Sequence, residues 1–257
     1  MIILKDTESL AQFCDSLTGA DFVTVDTEFM RERTYWPELC LVQLGGPDEA
    51  AIVDPLAKGI DLSPLFKLVN DEPVLKVFHA ARQDLEIFHH LTGKIPTPIF
   101  DTQVAGMVCG FGESVGYETL VAKLVKTSVD KSMRFTDWSR RPLSEKQLQY
   151  ALSDVTHLRV AYEKLALKMK PTNRHQWVED EMAILNSPNT YLPPPEDAWR
   201  RIKFRGNRPR FICVLRELAA LRERMARERN VPRNRIMRDD MILDIAARAP
   251  ETADALA

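Results

Sequence analysis

Three apolar runs follow one another near the start of this chain, with no room for a helix between them. They are FVTVDTEF (22–29), LCLVQLGG (39–46) and AIVDP (51–55), rich in β-branched residues and closed by glycine or proline. Connections this short join antiparallel neighbours, which argues against a doubly wound start in which each strand is followed by a helix. Next come a helical stretch DLSPLFKLV (61–69), a strand VLKVFH (74–79), a helix over 81–91, and a strand TPIFDT (97–102) leading into a helix near Asp101. The pattern predicts an α/β fold, a mixed five-stranded sheet flanked by helices.

From Gly116 onward the periodicity is helical. LSEKQLQYALSDVTHLRVAYEKLALKM follows Pro142 as one long amphipathic run, with Ser144 and Gln147 at capping-box spacing and Pro171 as its stop. A further helix covers 176–185. SPNTYLPPPEDAW (187–199) holds four prolines in thirteen residues and reads as a linker. Beyond it lie an arginine-rich helix (210–229), a turn and short helix (231–237) and a last helix (239–248). The expected organisation is a main domain over 1–187, a proline-rich linker over 188–206 and a small helical domain over 207–257.

Composition is that of an ordinary globular protein, 45% hydrophobic and 28% charged over 257 residues. No run of eighteen apolar residues exists to span a membrane. The start, MIILKDTESL, meets charge at Lys5 and lacks the apolar core and cleavage site of a signal peptide. Cys14, Cys40, Cys109 and Cys213 are scattered without CxxC pairing, which fits free thiols in a reducing cytoplasm better than disulfides or zinc. The net charge of −2 is unevenly spread: residues 196–257 carry 15 Lys and Arg against 10 Asp and Glu, a net of +5, and the rest carry −7. Such a basic run supplies phosphate contacts to a nucleic acid, or forms a solvated helix face with intrahelical ion pairs, as LRERMARERN invites. Charge alone leaves both open.

Carboxylates carry the chemistry. Asp26 and Glu28 stand at i and i+2 on a strand, so both point to one face, while Val23, Val25 and Thr27 point to the other. Two adjacent acids on a central strand repel each other, and a hard divalent cation is their natural partner. Asp84 falls in the first turns of a helix that follows a strand, from where a carboxylate can enter the same cleft. Tyr150 and Asp154 stand at i and i+4 on the long helix and share a face. Each piece alone also describes an ordinary surface acid or an amphipathic helix.

Together the pieces form a pattern. VDTEF at 25–29, HAARQDLE at 79–86 and YALSDVTHL at 150–158, with the flanks RERTYWPELCLVQLG and DKSMRFTDWSRRPLSEKQLQYA, resemble the ribonuclease D family, in the tyrosine subclass of the DEDD exonuclease superfamily. The resemblance covers residues 3–186. Gln149 stands where the histidine subclass carries its histidine. The tail from Arg208 to Pro250 is similar to the start of an HRDC domain. About 50 residues of it are present, short of a whole bundle, so apolar faces at Leu215, Leu218 and Ile242 are expected to be partly uncovered.

The resemblance implies an RNase H-like version of the mixed sheet and a two-metal 3′→5′ exoribonuclease that releases nucleoside 5′-monophosphates. The family's four acids carry over onto Asp26, Glu28, Asp84 and Asp154, and its tyrosine onto Tyr150. Asp26 is expected to bridge both ions, Glu28 and Asp154 to complete the water-activating site, Asp84 to serve the other, and Tyr150 to orient the water. Oxygen ligands alone imply two divalent cations, Mg²⁺ or Mn²⁺, and no organic cofactor. Phe29 is a candidate to stack on the terminal nucleotide and His79 to touch substrate. Lys131, Arg140 and Arg141 are candidate phosphate contacts, and Trp138 a loop anchor. Expected partners are RNA with single-stranded 3′ ends, transfer-RNA precursors among them, and no membrane, for a cytoplasmic monomer. Two rivals stand: a 3′→5′ DNA exonuclease with the same acids, and a nucleic-acid-binding adaptor with a vestigial nuclease domain. The adaptor's sign is a lost acid, whereas this chain keeps all four and the tyrosine.

Overall fold

The computed structural model describes residues 1–130, 132–170, 175–252 and 254. They fall into two compact units, Met1–Met30 with Leu39–Thr190, and Arg31–Glu38 with Tyr191–Ala257. Among the described residues no helix is long and apolar enough to cross a membrane.

The first unit is built on a six-stranded sheet: β1 (Ile2–Leu4), β2 (Phe22–Met30), β3 (Glu38–Gly45), β4 (Ala50–Val53), β5 (Leu75–Phe78) and β6 (Ile99–Asp101), in the order β1-β4-β3-β2-β5-β6. β3 and β4 are antiparallel, with Val42 opposite Val53, as their short connection requires. β1 with β4, β2 with β5 and β5 with β6 are parallel. The sheet has one strand more than the five expected. β1 is three apolar residues, too short to carry a period, and is defined by its register on β4, Ile3 beside Ile52.

Helices α1 (Thr7–Leu17), α2 (Ser63–Asn70), α3 (Arg82–Thr92), α4 (Thr102–Val108), α5 (Tyr117–Leu124), α6 (Glu145–Met169) and α7 (His175–Leu185) complete the unit. Residues 40–44 of β3 are buried without alternation, the signature of a strand covered on both faces. The capping box of α6 forms: the Ser144 side chain accepts from the Gln147 N–H, and the Gln147 side chain accepts from the Ser144 N–H at 3.0 Å. Its buried positions, Ala151, Asp154, Val155, Leu158, Ala161 and Leu165, recur every three or four residues, so Asp154 lies on the stripe that faces inward. α6 crosses the sheet closely. The Thr24 hydroxyl donates to the Val155 carbonyl at 2.9 Å. A Cβ at Gly45 would sit 2.3 Å from Thr24 Oγ1 and 3.3 Å from Val155 Cβ, so this position accepts only glycine without a shift. Pro171, expected to stop α6, lies outside the described residues.

The second unit contains α8 (Pro209–Glu228), α9 (Arg233–Ile236) and α10 (Asp239–Arg248). The proline-rich segment is more than a spacer. It forms a 3₁₀ helix over Pro195–Arg201, and Ala198 and Ile202 join Leu215, Ala219, Ile242 and Ala246 in one core. Leu215 and Ile242 are therefore fully buried, contrary to the expectation of uncovered helix faces, while Leu218 is partly buried. The cover comes from the segment that reads as a linker.

Arg31–Glu38 also belongs to this unit. The buried Tyr35 hydroxyl donates to Glu223 at 2.5 Å, and Arg227 and Arg233 bond the same carboxylate. Asn230 Oδ1 accepts the N–H groups of Tyr35 and Trp36 at 3.1 and 3.0 Å. Burial works to raise the Glu223 carboxyl, but the bonds from Arg233 and Tyr35 prevail and hold it down at about 2. Of the two readings of the basic run, ion pairing describes Arg200, Arg210, Arg222, Arg224, Arg227 and Arg233.

Candidate active site

β2 lies inside the sheet between β3 and β5. Alternation along it puts Asp26 and Glu28 on the face of Thr24, and the Thr24–Val155 bond holds α6 over that face one residue from Asp154. One carboxylate oxygen each of Asp26, Glu28 and Asp154 lie within 4.8 Å of one another. Tyr150 stands one helical turn before Asp154 on the same helix, and its hydroxyl opposes the rise of the Asp154 carboxyl. The Tyr150 ring packs in a cluster with Cys40, Leu41, Ile52 and the buried Trp138, whose ring centroid is 6.0 Å away, so Trp138 does anchor its loop.

Asp84 is buried in the first turn of α3 but stands outside the three-acid group. Its Oδ1 accepts the Thr27 hydroxyl at 2.5 Å. Thr27 points to the sheet face opposite Asp26 and Glu28, so Asp84 reaches the site at its rim. It is still close enough that its charge acts on Glu28, and that of Asp26 acts on it. The turn from β5 into α3 is shaped by Asp101, whose carboxylate accepts the N–H groups of Ala80 and Ala81 at 3.0 and 2.8 Å. Ala80 there has a φ of 55°, in the left-handed region, and these bonds hold it.

Electrostatics single out the same residues. Burial, then the charge of Asp154, holds the Asp26 carboxyl well above the usual carboxylate range. Burial, then Asp26, does the same to Asp84. Glu28 is pushed up to about 10 by burial and by Asp26, Asp154 and Asp84, with Arg134 pulling the other way. Asp154 is raised to about 7 by burial, with the Tyr150 hydroxyl opposing. Burial and the neighbouring acids raise the Tyr150 phenol as well, so it stays protonated and serves as a donor. A divalent cation reverses the repulsion behind these shifts. Asp154 Oδ1 is buried and has no hydrogen-bond partner among the described residues. Three converging carboxylates and an unsatisfied oxygen fit a hard, oxygen-seeking cation.

The expected substrate contacts fare unevenly. Phe29 is half-buried beside Glu28. His79 Nδ1 is 3.0 Å from Thr102 Oγ1, which donates onward to the Phe78 carbonyl, so Nδ1 carries the proton. Burial lowers the pKa of this ring, keeping it neutral. Arg141 is a correction. Its Nε and Nη2 bond Asp54, Nη1 bonds the Trp138 and Arg140 carbonyls, and Nη2 also bonds the Cys40 carbonyl. Its donors are taken up in tying the chain before α6 to the sheet, which leaves none for a phosphate. Arg140 pairs with Asp137 at 3.2 Å. Lys131 lies outside the described residues.

Other residues support the site without any mark in the local sequence. Thr27 holds Asp84, Asp101 shapes the turn before it, and the Tyr117 hydroxyl donates to the Asp154 carbonyl. Each partnership spans 20 residues or more, so no short motif announces it.

Residues 1–170 match the family model described as 3′-5′ exonuclease, and residues 213–257 match that of the HRDC domain. Ribonuclease D of Jannaschia sp. is 53% identical over 253 residues, covering 97% of this chain and 66% of that protein. The crystal structure of Escherichia coli RNase D superposes with a TM-score of 0.88 at 34% identity, covering 99% of this chain and 68% of that one. The chain belongs to the ribonuclease D family. It spans about two thirds of the length of the curated relatives it matches. The mixed sheet flanked by helices and the C-terminal HRDC region are those of the family. Brucella melitensis NrnC with bound Mg²⁺ is similar at 25% identity and a TM-score of 0.64, over 81% of this chain and 100% of that one. DEDD exonucleases depend on divalent metal, and the cluster of Asp26, Glu28 and Asp154 is where this chain gathers its acids.

Proposed function

We propose that this chain hydrolyses RNA from the 3′ end and releases nucleoside 5′-monophosphates. The observation that carries the proposal is the convergence of Asp26, Glu28 and Asp154 within 4.8 Å, with Tyr150 one helical turn from Asp154. Asp26, Glu28 and Asp154 would hold divalent metal, and Asp84 would serve a second ion of the same site. When bound, the cations supply an activated water and neutralise charge on the phosphate and the leaving 3′-oxygen. Mg²⁺ or Mn²⁺ suits an all-oxygen donor set. Tyr150 orients the attacking water through its protonated hydroxyl. Thr27 fixes the Asp84 carboxylate, and Tyr117 fixes the backbone that carries Asp154. Phe29, next to Glu28, offers its ring to the terminal base.

RNA is favoured over DNA by the likeness to the E. coli enzyme, which is described as an exoribonuclease involved in structured RNA processing. The likeness to NrnC with bound Mg²⁺ supports the choice of ion. Single-stranded 3′ ends of transfer-RNA precursors suit such an activity. The cysteines, all free thiols, suit a cytoplasmic monomer.

The test is digestion of 3′-extended RNA, and of DNA of the same sequence, with and without Mg²⁺ or Mn²⁺. Mononucleotides should leave from the 3′ end only with metal present, and Asp26→Ala should lower the rate about a thousandfold or more. Cleavage by Asp26→Ala near the parent rate would remove the acid cluster from the reaction. Faster digestion of DNA would transfer the assignment to a DNA exonuclease.

A further inference from the structure

Residues 132–138 run beside the acid cluster and are fastened at both ends. The Met133 side chain packs into the cluster of Trp138, Tyr150 and Met30. Thr136 closes a four-residue turn, its N–H and hydroxyl donating to the Met133 carbonyl at 3.1 and 2.8 Å. The Thr136 hydroxyl in turn accepts from Gln147 of α6 at 3.2 Å. Arg134 and Phe135 are the two central residues of this turn, the positions a β-turn displays outward.

Phe135 is 91% exposed, more than any other large hydrophobic side chain among the described residues. A lone exposed apolar side chain is ordinary on a protein surface. This one is accompanied. The Arg134 guanidinium carbon lies 5.3 Å from the Phe135 ring centroid. The turn is joined to the site itself, since Met133 packs in the cluster that holds the Tyr150 ring and Thr136 is bonded to Gln147, one helical turn before Tyr150. A cation and an aromatic face thus stand side by side at the edge of the acid cluster, on a turn whose own packing uses neither.

Resting on the hydrolase reading above, we infer that Arg134 and Phe135 form a subsite for the single-stranded RNA just upstream of the scissile bond. Phe135 stacks on a nucleobase and Arg134 contacts a backbone phosphate. Every base has a π-face, so the subsite holds the strand without reading its sequence. It also gives single-stranded ends an advantage over paired ones, whose bases already stack on each other.

Steady-state hydrolysis of a short single-stranded oligoribonucleotide tests the inference. Phe135→Ala should raise KM about tenfold, by more than it changes kcat, and Phe135→Trp should restore it. Arg134→Ala should raise KM and weaken its dependence on salt by roughly one phosphate contact. A second readout needs no turnover. In the Asp26→Asn background, fluorescence anisotropy of the same RNA should weaken about tenfold with Phe135→Ala. An abasic nucleotide at the stacked position should weaken binding only when Phe135 is present. Unchanged KM and anisotropy in a variant that melts like the parent removes that residue from the subsite. Should both variants match the parent while Asp26→Ala is inactive, the subsite falls and the hydrolase stands. Should the parent leave RNA intact with either metal, the hydrolase reading falls, and anisotropy alone decides the subsite.

Discussion

Asp154→Asn tests the electrostatics of the site from an unusual direction, because it should stabilise the protein while abolishing the reaction. Burial raises the Asp154 carboxyl from 3.8 to about 7. A carboxyl held above its unfolded value binds its proton more tightly in the native state. Its contribution to stability is complete below pH 3.8 and is lost as pH rises through about 7. At roughly 1.4 kcal/mol per tenfold change, full ionisation costs the native state on the order of 4 kcal/mol. Relaxation, and sharing of the proton with Asp26 and Glu28, should leave about half of that to be read. Asparagine keeps the shape of the side chain and has nothing to ionise. In EDTA at pH 8 the variant should melt about 5 °C above the parent, since 1 kcal/mol is worth roughly 2–4 °C in a domain of this size. Only below about pH 3.8 should the two converge. Mg²⁺ should reverse the order at pH 8, stabilising the parent by about 2.7 kcal/mol at a hundredfold excess over Kd, and the variant by less. Calorimetry at the two pH values, with EDTA and then with MgCl₂, measures all of this. A variant no more stable than the parent at pH 8 without metal, or an equal gain from Mg²⁺ in both, would refute the reasoning.

Arg141→Ala should destabilise the fold by about 3–5 kcal/mol in urea melts, because it strands the buried Asp54 carboxylate. RNA KM should stay at the parent value in the folded fraction, and a raised KM would return Arg141 to the phosphate contacts. Gly45→Ala should cost about 1–3 kcal/mol and lower kcat, since the new methyl group meets Thr24 and Val155 where α6 crosses the sheet. A variant with parental melting and rate would contradict that crossing distance. Thr27→Val should lower activity about 10–100-fold and raise the Mg²⁺ concentration needed for half-maximal rate, as Asp84 loses its hydroxyl donor. An unchanged metal titration would show that Thr27 does not position Asp84.

How legible the fold and the site are in the sequence depends on whether a relationship lies within one element or between two. Asp26 with Glu28, and Tyr150 with Asp154, share an element, and the strand and helix repeats alone put each pair on one face. The capping box at Ser144 and the close β3–β4 connection are equally local, and both form as the spacing predicts. β1 escapes because three residues hold no period, and its pairing with β4 joins positions about fifty residues apart. Leu215 and Ile242 look uncovered because four prolines in thirteen residues read as a spacer, whereas the 3₁₀ helix among them buries Ala198 in the same core.

Arg141 shows the limit most sharply. In sequence it is one of two arginines before a proline and close to an expected active site, which is how a phosphate contact would look. Its structural partner is Asp54, 87 residues away, and nothing local in either residue announces the pair. Arg134, by contrast, sits seven residues earlier beside an exposed phenylalanine, and its side chain is turned outward on a closed turn. Both are cations in one short stretch of chain. One is consumed by a buried carboxylate and backbone carbonyls, while the other keeps its charge near Glu28. The assignment of phosphate contacts therefore rests on which guanidinium still has donors to give, a property of packing that charge patterning does not carry. The same reasoning applies to Asp84. Its partners in the site all lie on other elements, so only the approach of α3 to β2, fixed through Thr27 and Asp101, decides how far its carboxylate reaches toward the other three.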